Sequence, residues 1–157
     1  MIIDKEKAKI RIAKQCSIKE VCEFDARTKL QKFGLSYTEI SEIIDWLIDE
    51  NFINNTRFAQ FYVRDKYRFN KWGRNKIVMY LKSKHINSNN IKLALEEINE
   101  KEYLEILSNI IKQKFNSTTK ESDYYKRKVK IINNALSKGF EMDLIINIVD
   151  KLLKQND

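Results

Sequence analysis

The feature that most constrains this chain is that it repeats itself three times. Leu30-Gln31-Lys32-Phe33-Gly34-Leu35, Leu81-Lys82-Ser83-Lys84-His85-Ile86 and Ala135-Leu136-Ser137-Lys138-Gly139-Phe140 align without gaps. A repeat of about 50 residues is the sequence signature of stacked supersecondary units. Taking Gly34, His85 and Gly139 as anchors, Ile40, Ile91 and Ile145 follow six positions on. Ile43, Ala94 and Ile148 stand at nine, Ile44, Leu95 and Val149 at ten, and Leu47, Ile98 and Leu152 at thirteen. Those offsets trace one face of a helix at 3.6 residues per turn. Behind the anchors, Ala26, Ile77 and Ile131 lie eight back and Leu30, Leu81 and Ala135 four back, which are successive turns of a preceding helix.

The anchor is where one helix stops and the next begins. Glycine reaches left-handed backbone without steric penalty, and histidine is among the more tolerant other residues. Ser36 and Asn87 follow at once as candidate N-caps. A third helix fits upstream in each copy: through Ala8 and Ile12, through Phe58, Ala59, Tyr62 and Val63 with Asn or Thr as its cap, and through Leu104, Leu107 and Ile111. The polar stretch from Asn116 to Asp123 reads as a loop. Proline is absent and glycine occurs three times in 157 residues. Strand-rich folds normally spend those residues on turns. The expected architecture is therefore all-α, three tandem three-helix repeats in an elongated or curved array. The repeats are expected at 1–54, 55–99 and 100–157, each marginal alone and stabilised by its neighbours.

Charge is unevenly shared among these segments. Residues 55–99 carry 10 basic side chains against 3 acidic, whereas 1–54 carry 9 against 10 and 100–157 carry 11 against 9. A surplus concentrated in one segment attracts phosphate or an acidic protein surface, although a solvated basic face is the plainer alternative. On the Asn55–Phe69 helix, Arg57, Phe61, Arg64 and Arg68 line up on the side opposite the apolar stripe. Lys71, Trp72, Arg74 and Lys76 follow, and complete the candidate binding set for a partner or DNA. Trp72 and Phe61 each read equally as an exposed anchor or as closure of a small core. Lys126, Arg127, Lys128 and Lys130 form a second cluster, diluted by acidic neighbours.

Catalytic chemistry is poorly supplied. The single histidine, His85, occupies the helix-stop position, where a turn role outweighs general-base or metal-ligand roles. No glycine-rich phosphate loop, HExxH pair or GxSxG elbow occurs. Glu96 with Glu97, and Asp49 with Glu50, fall at helix ends and read as solvated surface. Cys16 and Cys22 match no zinc or CxxC spacing and suit a reduced interior. No stretch has signal-peptide or transmembrane character. A cytoplasmic, non-enzymatic binding protein without cofactor or metal is expected, monomeric and without membrane contact.

The run Arg57-Phe58-Ala59-x-x-Tyr62-Val63-x-x-Lys66, then Gly73-Arg74-x-Lys76-Ile77-x-x-x-Leu81-x-x-Lys84-His85-Ile86, resembles the central repeat of the RecX family. Residues Ser137 to Ile145 are similar to that family's closing repeat, and Leu30 to Ile44 to its first. His85 replaces the usual glycine. Asn54-Asn55-Thr56 stands where acidic residues often occur, which makes the central repeat more basic than is typical. The resemblance implies a modulator of the RecA recombinase that lies in the groove of the filament on single-stranded DNA. Such a modulator limits filament growth, strand exchange and ATP turnover, within homologous recombination, DNA repair and the SOS response. Binding to single-stranded DNA alone is expected to be weak. The rival readings are a stand-alone basic helical DNA-binding protein and an adaptor for another acidic protein.

Overall fold

Apolar periodicity of this kind needs capped, terminated helices to become structure, and the computed structural model, which describes residues 2–155, shows how each is made. Among the described residues the chain is all-helical. The nine helices are α1 (Lys5–Ile18), α2 (Glu23–Lys32), α3 (Tyr37–Asp49), α4 (Asn55–Arg68), α5 (Arg74–Ser83), α6 (Ser88–Leu95), α7 (Glu100–Ser117), α8 (Tyr124–Ser137) and α9 (Met142–Gln155). The expected loop at Asn116–Asp123 begins two residues late, because α7 runs on to Ser117.

Starts and stops follow local chemistry. Ser36 caps α3 in a reciprocal box: its side chain accepts from the Glu39 N–H, and the Glu39 carboxylate accepts from the Ser36 N–H. Asn87 caps α6 by accepting from the Asn90 N–H at 2.8 Å, and Asn54 caps α4 by accepting from the Arg57 N–H at 2.9 Å. Cys22 caps α2 through its sulfur. Burial pushes that thiol up to about 11, so it stays a neutral SH. The three anchors all have left-handed backbone, with φ of 77° at Gly34, 58° at His85 and 96° at Gly139. The His85 ring stacks on Phe24 at 4.6 Å. Asn51 and Lys71, which follow α3 and α4, share the same conformation.

The chain divides into two compact units. The first comprises residues 1–62 and 81–94. Its core is the apolar faces of α1, α2 and α3, with Ile12, Leu30, Ile43, Ile44 and Leu47 all essentially inaccessible. Truncating any one of these to Ala removes contacts worth about 2–5 kcal/mol. The second comprises residues 63–80 and 95–157. There α7, α8 and α9 pack against one another. Tyr67, Ile77, Tyr103, Leu107 and Phe140 are fully buried, and the Tyr103 and Phe140 rings lie 5.1 Å apart.

One close approach organises the second unit. The Gly73 N–H donates to the Lys138 carbonyl at 2.7 Å, and the Asn75 N–H to the Gly139 carbonyl at 2.9 Å. A Cβ at Gly73 would fall inside the envelope of the Gly139 carbonyl and the Phe140 nitrogen, and one at Gly139 would strike Lys76. Glycine at 73 is required for contact between backbones, not for its dihedral freedom.

Candidate partner-binding surface

The basic residues singled out by sequence do not project as a bare cationic row. In the first unit, Arg57 uses its whole guanidinium internally. Nε donates to Glu20 at 2.6 Å, Nη1 to the Asn51 side chain at 3.2 Å, and Nη2 to the carbonyls of Asn51 and Phe52 at 3.2 and 3.3 Å. It thereby satisfies carbonyls at the C-terminal turn after α3, a role suited to a planar fork of donors. Phe61 is 47% exposed, so its ring is not sealed in a core.

In the second unit, Arg64 pairs with Glu97 at 3.3 Å and Arg68 with Glu102 at 3.0 Å. The hydrogen bond to Glu102 raises the Arg68 guanidinium above its ordinary value. Both pairs are partly open to solvent, where an ion pair contributes only about 0–1 kcal/mol. Trp72 is half-buried, its ring 5.1 Å from Tyr80, with the Lys66 and Lys76 ammonium groups 5.1 and 4.5 Å from its centroid. Trp72 thus serves as a platform for two cations.

Arg74 is the most elaborately held of the set. Its Nη1 donates to Glu141 at 2.7 Å, its Nη2 to Glu100, and its guanidinium lies 4.1 Å from the Tyr103 ring centroid. The Arg74 N–H donates to the Tyr103 hydroxyl at 2.9 Å, and that hydroxyl donates to Glu141. Burial opposes the charge on Arg74, but its two carboxylate bonds outweigh that and hold it above its ordinary value. Burial also raises the Tyr103 hydroxyl, helped by its bond to Glu141. Arg74 closes a knot joining the start of α5 to α7 and to the turn before α9.

Three members of the second basic cluster are likewise engaged within the fold. Arg127 donates to the Phe115 carbonyl at 2.8 Å, Lys128 pairs with Asp150 at 3.0 Å and Lys130 with Glu121 at 2.8 Å. Sequence reasoning missed a different gathering. Lys71, Lys114 and Lys138 line one cleft of the second unit together with Asn70, Gln113 and Asn134. No local signal could reveal it, because its cations come from three separate places in the chain. Among the described residues no group of His, Cys, Asp and Glu is arranged to hold a metal, and no helix is long and apolar enough to cross a membrane.

Comparison with known proteins bears on what this surface serves. A model of the second three-helix domain of RecX matches residues 54–95, and one of the third three-helix domain matches residues 100–149. The regulatory protein RecX of Clostridium botulinum is 31% identical over 167 residues, covering 96% of this chain and 76% of that protein. The regulatory protein RecX of Clostridium acetobutylicum is 29% identical over 138 residues, covering 86% and 64%. The chain spans between 49% and 64% of the length of several such relatives. The crystal structure of RecX from Lactobacillus salivarius superposes with a TM-score of 0.82 at 27% identity, over 94% of this chain and 96% of that one.

Proposed function

Because the chain belongs to the RecX family, we propose that it is a regulatory protein that binds the RecA recombinase filament on single-stranded DNA and restrains its growth, strand exchange and ATP turnover. The observation that carries this reading is the ordered match of two consecutive RecX three-helix domains, at 54–95 and 100–149. The domain pattern 1–54, 55–99 and 100–157 belongs to the same reading. What supports a filament surface as the partner is the chemistry of Arg64 and Arg68. Each is paired with one glutamate at the protein surface. Ion pairs of that kind exchange partners at little cost, so carboxylates or phosphates of a partner can replace Glu97 and Glu102. Phe61 adds an exposed aromatic ring of the type enriched where partners bind. Arg57 and Arg74 are contact residues of a different kind in this reading, because their guanidinium groups also hold the fold.

A strand-exchange assay with the cognate recombinase tests the proposal. The parent protein is expected to slow exchange at or below one molecule per recombinase subunit. Failure to slow it at any ratio would remove the regulatory reading. The Arg64→Gln/Arg68→Gln variant is expected to keep its helicity and weaken inhibition about tenfold, which corresponds to two contacts of roughly 0.7 kcal/mol each. Undiminished inhibition by this variant would move the contact surface away from these two arginines.

A further inference from the structure

Three arginines and three lysines of the second unit divide their tasks. Arg64, Arg68 and Arg74 all face carboxylates of the same unit. Lys71, Lys114 and Lys138 form no ion pair among the described residues, yet they converge on one cleft of about 350 Å³. Asn70, Gln113 and Asn134 add neutral hydrogen-bonding groups to its lining, and no carboxylate contributes to it. The volume falls in the roughly 300–1,000 Å³ range of small-molecule sites. Ile110 and Ser117 complete the lining, so polar and apolar surface both face the cleft.

Two further facts bear on why lysines stand here. Lys71 has φ of 59°. Glycine and asparagine take that conformation readily, whereas a long side chain is strained there, and strain of this kind points to use. Lys114 lies in the last turn of α7 and Lys138 is the C-cap of α8. Helix C-termini favour cations, which offsets part of the repulsion among three like charges. Lysine presents a compact point charge with three donors and is a recurrent phosphate partner, although the arginine fork also matches phosphate.

We propose that the Lys71–Lys114–Lys138 cleft is a binding site for linked phosphates, supplied either by a small phosphorylated molecule or by adjacent backbone phosphates of a nucleic acid. Its binding is measured on the protein alone, so it stands or falls separately from any effect on a recombinase.

The test compares two triple variants by calorimetry with sodium pyrophosphate and with an oligothymidylate at several salt concentrations. Lys71→Asn/Lys114→Gln/Lys138→Gln empties the cleft of charge. Lys101→Gln/Lys112→Gln/Lys151→Gln removes as many charges from exposed positions elsewhere on the same unit. All six sites lie outside the core, and circular dichroism checks that both variants fold. The cleft variant is expected to lose about tenfold or more in affinity for at least one ligand. The control should change by less than about twofold for that ligand. If the oligonucleotide is the ligand, the salt slope also falls by about 1 for each lysine that meets a phosphate. Loss with pyrophosphate alone assigns the site to a small phosphorylated molecule, and loss with the oligonucleotide assigns it to a nucleic acid backbone. Equal losses in the two triple variants, or no binding of either ligand by the parent, overturn the proposal.

Discussion

The knot around Arg74 and the cleft around Lys71 lie a few residues apart in sequence and solve opposite problems. At Arg74 the cation is fully answered: Glu141 and Glu100 take the guanidinium, and Tyr103 bridges between the backbone and Glu141. At Lys71 positive charge accumulates without a carboxylate, on backbone that a lysine adopts with strain. The first arrangement spends its cation on stability. The second keeps its cations available at some cost in stability. Net positive charge in a segment therefore says little about binding until the acidic partners are known, since compensated arginine and uncompensated lysine count alike in composition.

The largest expected effect breaks both regions at once. Gly73 sits between them, and its backbone N–H holds the Lys138 carbonyl. Gly73→Ala must separate two backbone segments that now touch, so it should destabilise the protein by about 3 kcal/mol. It should also loosen the Arg74 knot and the cleft together. Urea unfolding checks this, and a midpoint within error of the parent would mean that the Gly73–Gly139 approach is not tight. A smaller effect isolates the knot. Arg74→Met keeps the side-chain length but leaves Glu141 and Glu100 without their cation. Arg74 and Glu141 are mostly shielded from solvent, with side-chain exposures of 23% and 26%. A loss of about 2 kcal/mol is expected, because half-satisfied carboxylates remain. A neutral result in urea would show that the guanidinium is replaceable by water.

How much of this was legible in the chain depends on how far apart the interacting groups lie. Helices and their stops were readable, because 3.6-residue periodicity and capping are local. Leu30, Leu81 and Ala135 occupy equivalent turns and are all fully buried. Gly34, His85 and Gly139 all turned left-handed. The stop at Lys71 was not readable, since nothing about a lysine announces positive φ. Gly73 was equally silent, as the segment it must approach follows α8, four helices further along the chain. The arginine row was visible as a pattern but not as chemistry. The carboxylates that answer Arg68 and Arg74 lie 34 and 67 residues further on, and only packing brings them near. The lysine cleft needed three distant positions at once, beyond the reach of any periodicity.

The smallest effect reverses in sign, which makes it the sharpest probe of the comparison. Lys71→Asn removes a positive charge from the cleft and places a residue that tolerates left-handed backbone at φ of 59°. If the cleft merely happens to be basic, relief of strain and of lysine–lysine repulsion should be its sole consequence. Stability should then rise by about 0.5 kcal/mol, read as a higher urea midpoint with an unchanged denaturant slope. If the lysine is kept for its charge, the same gain in stability should come with weaker anion binding. A lower midpoint would show instead that Lys71 supports the fold, and would place it with Arg74 rather than opposite it. Stability and binding moving in opposite directions on one substitution would show that folding alone does not account for the lysine.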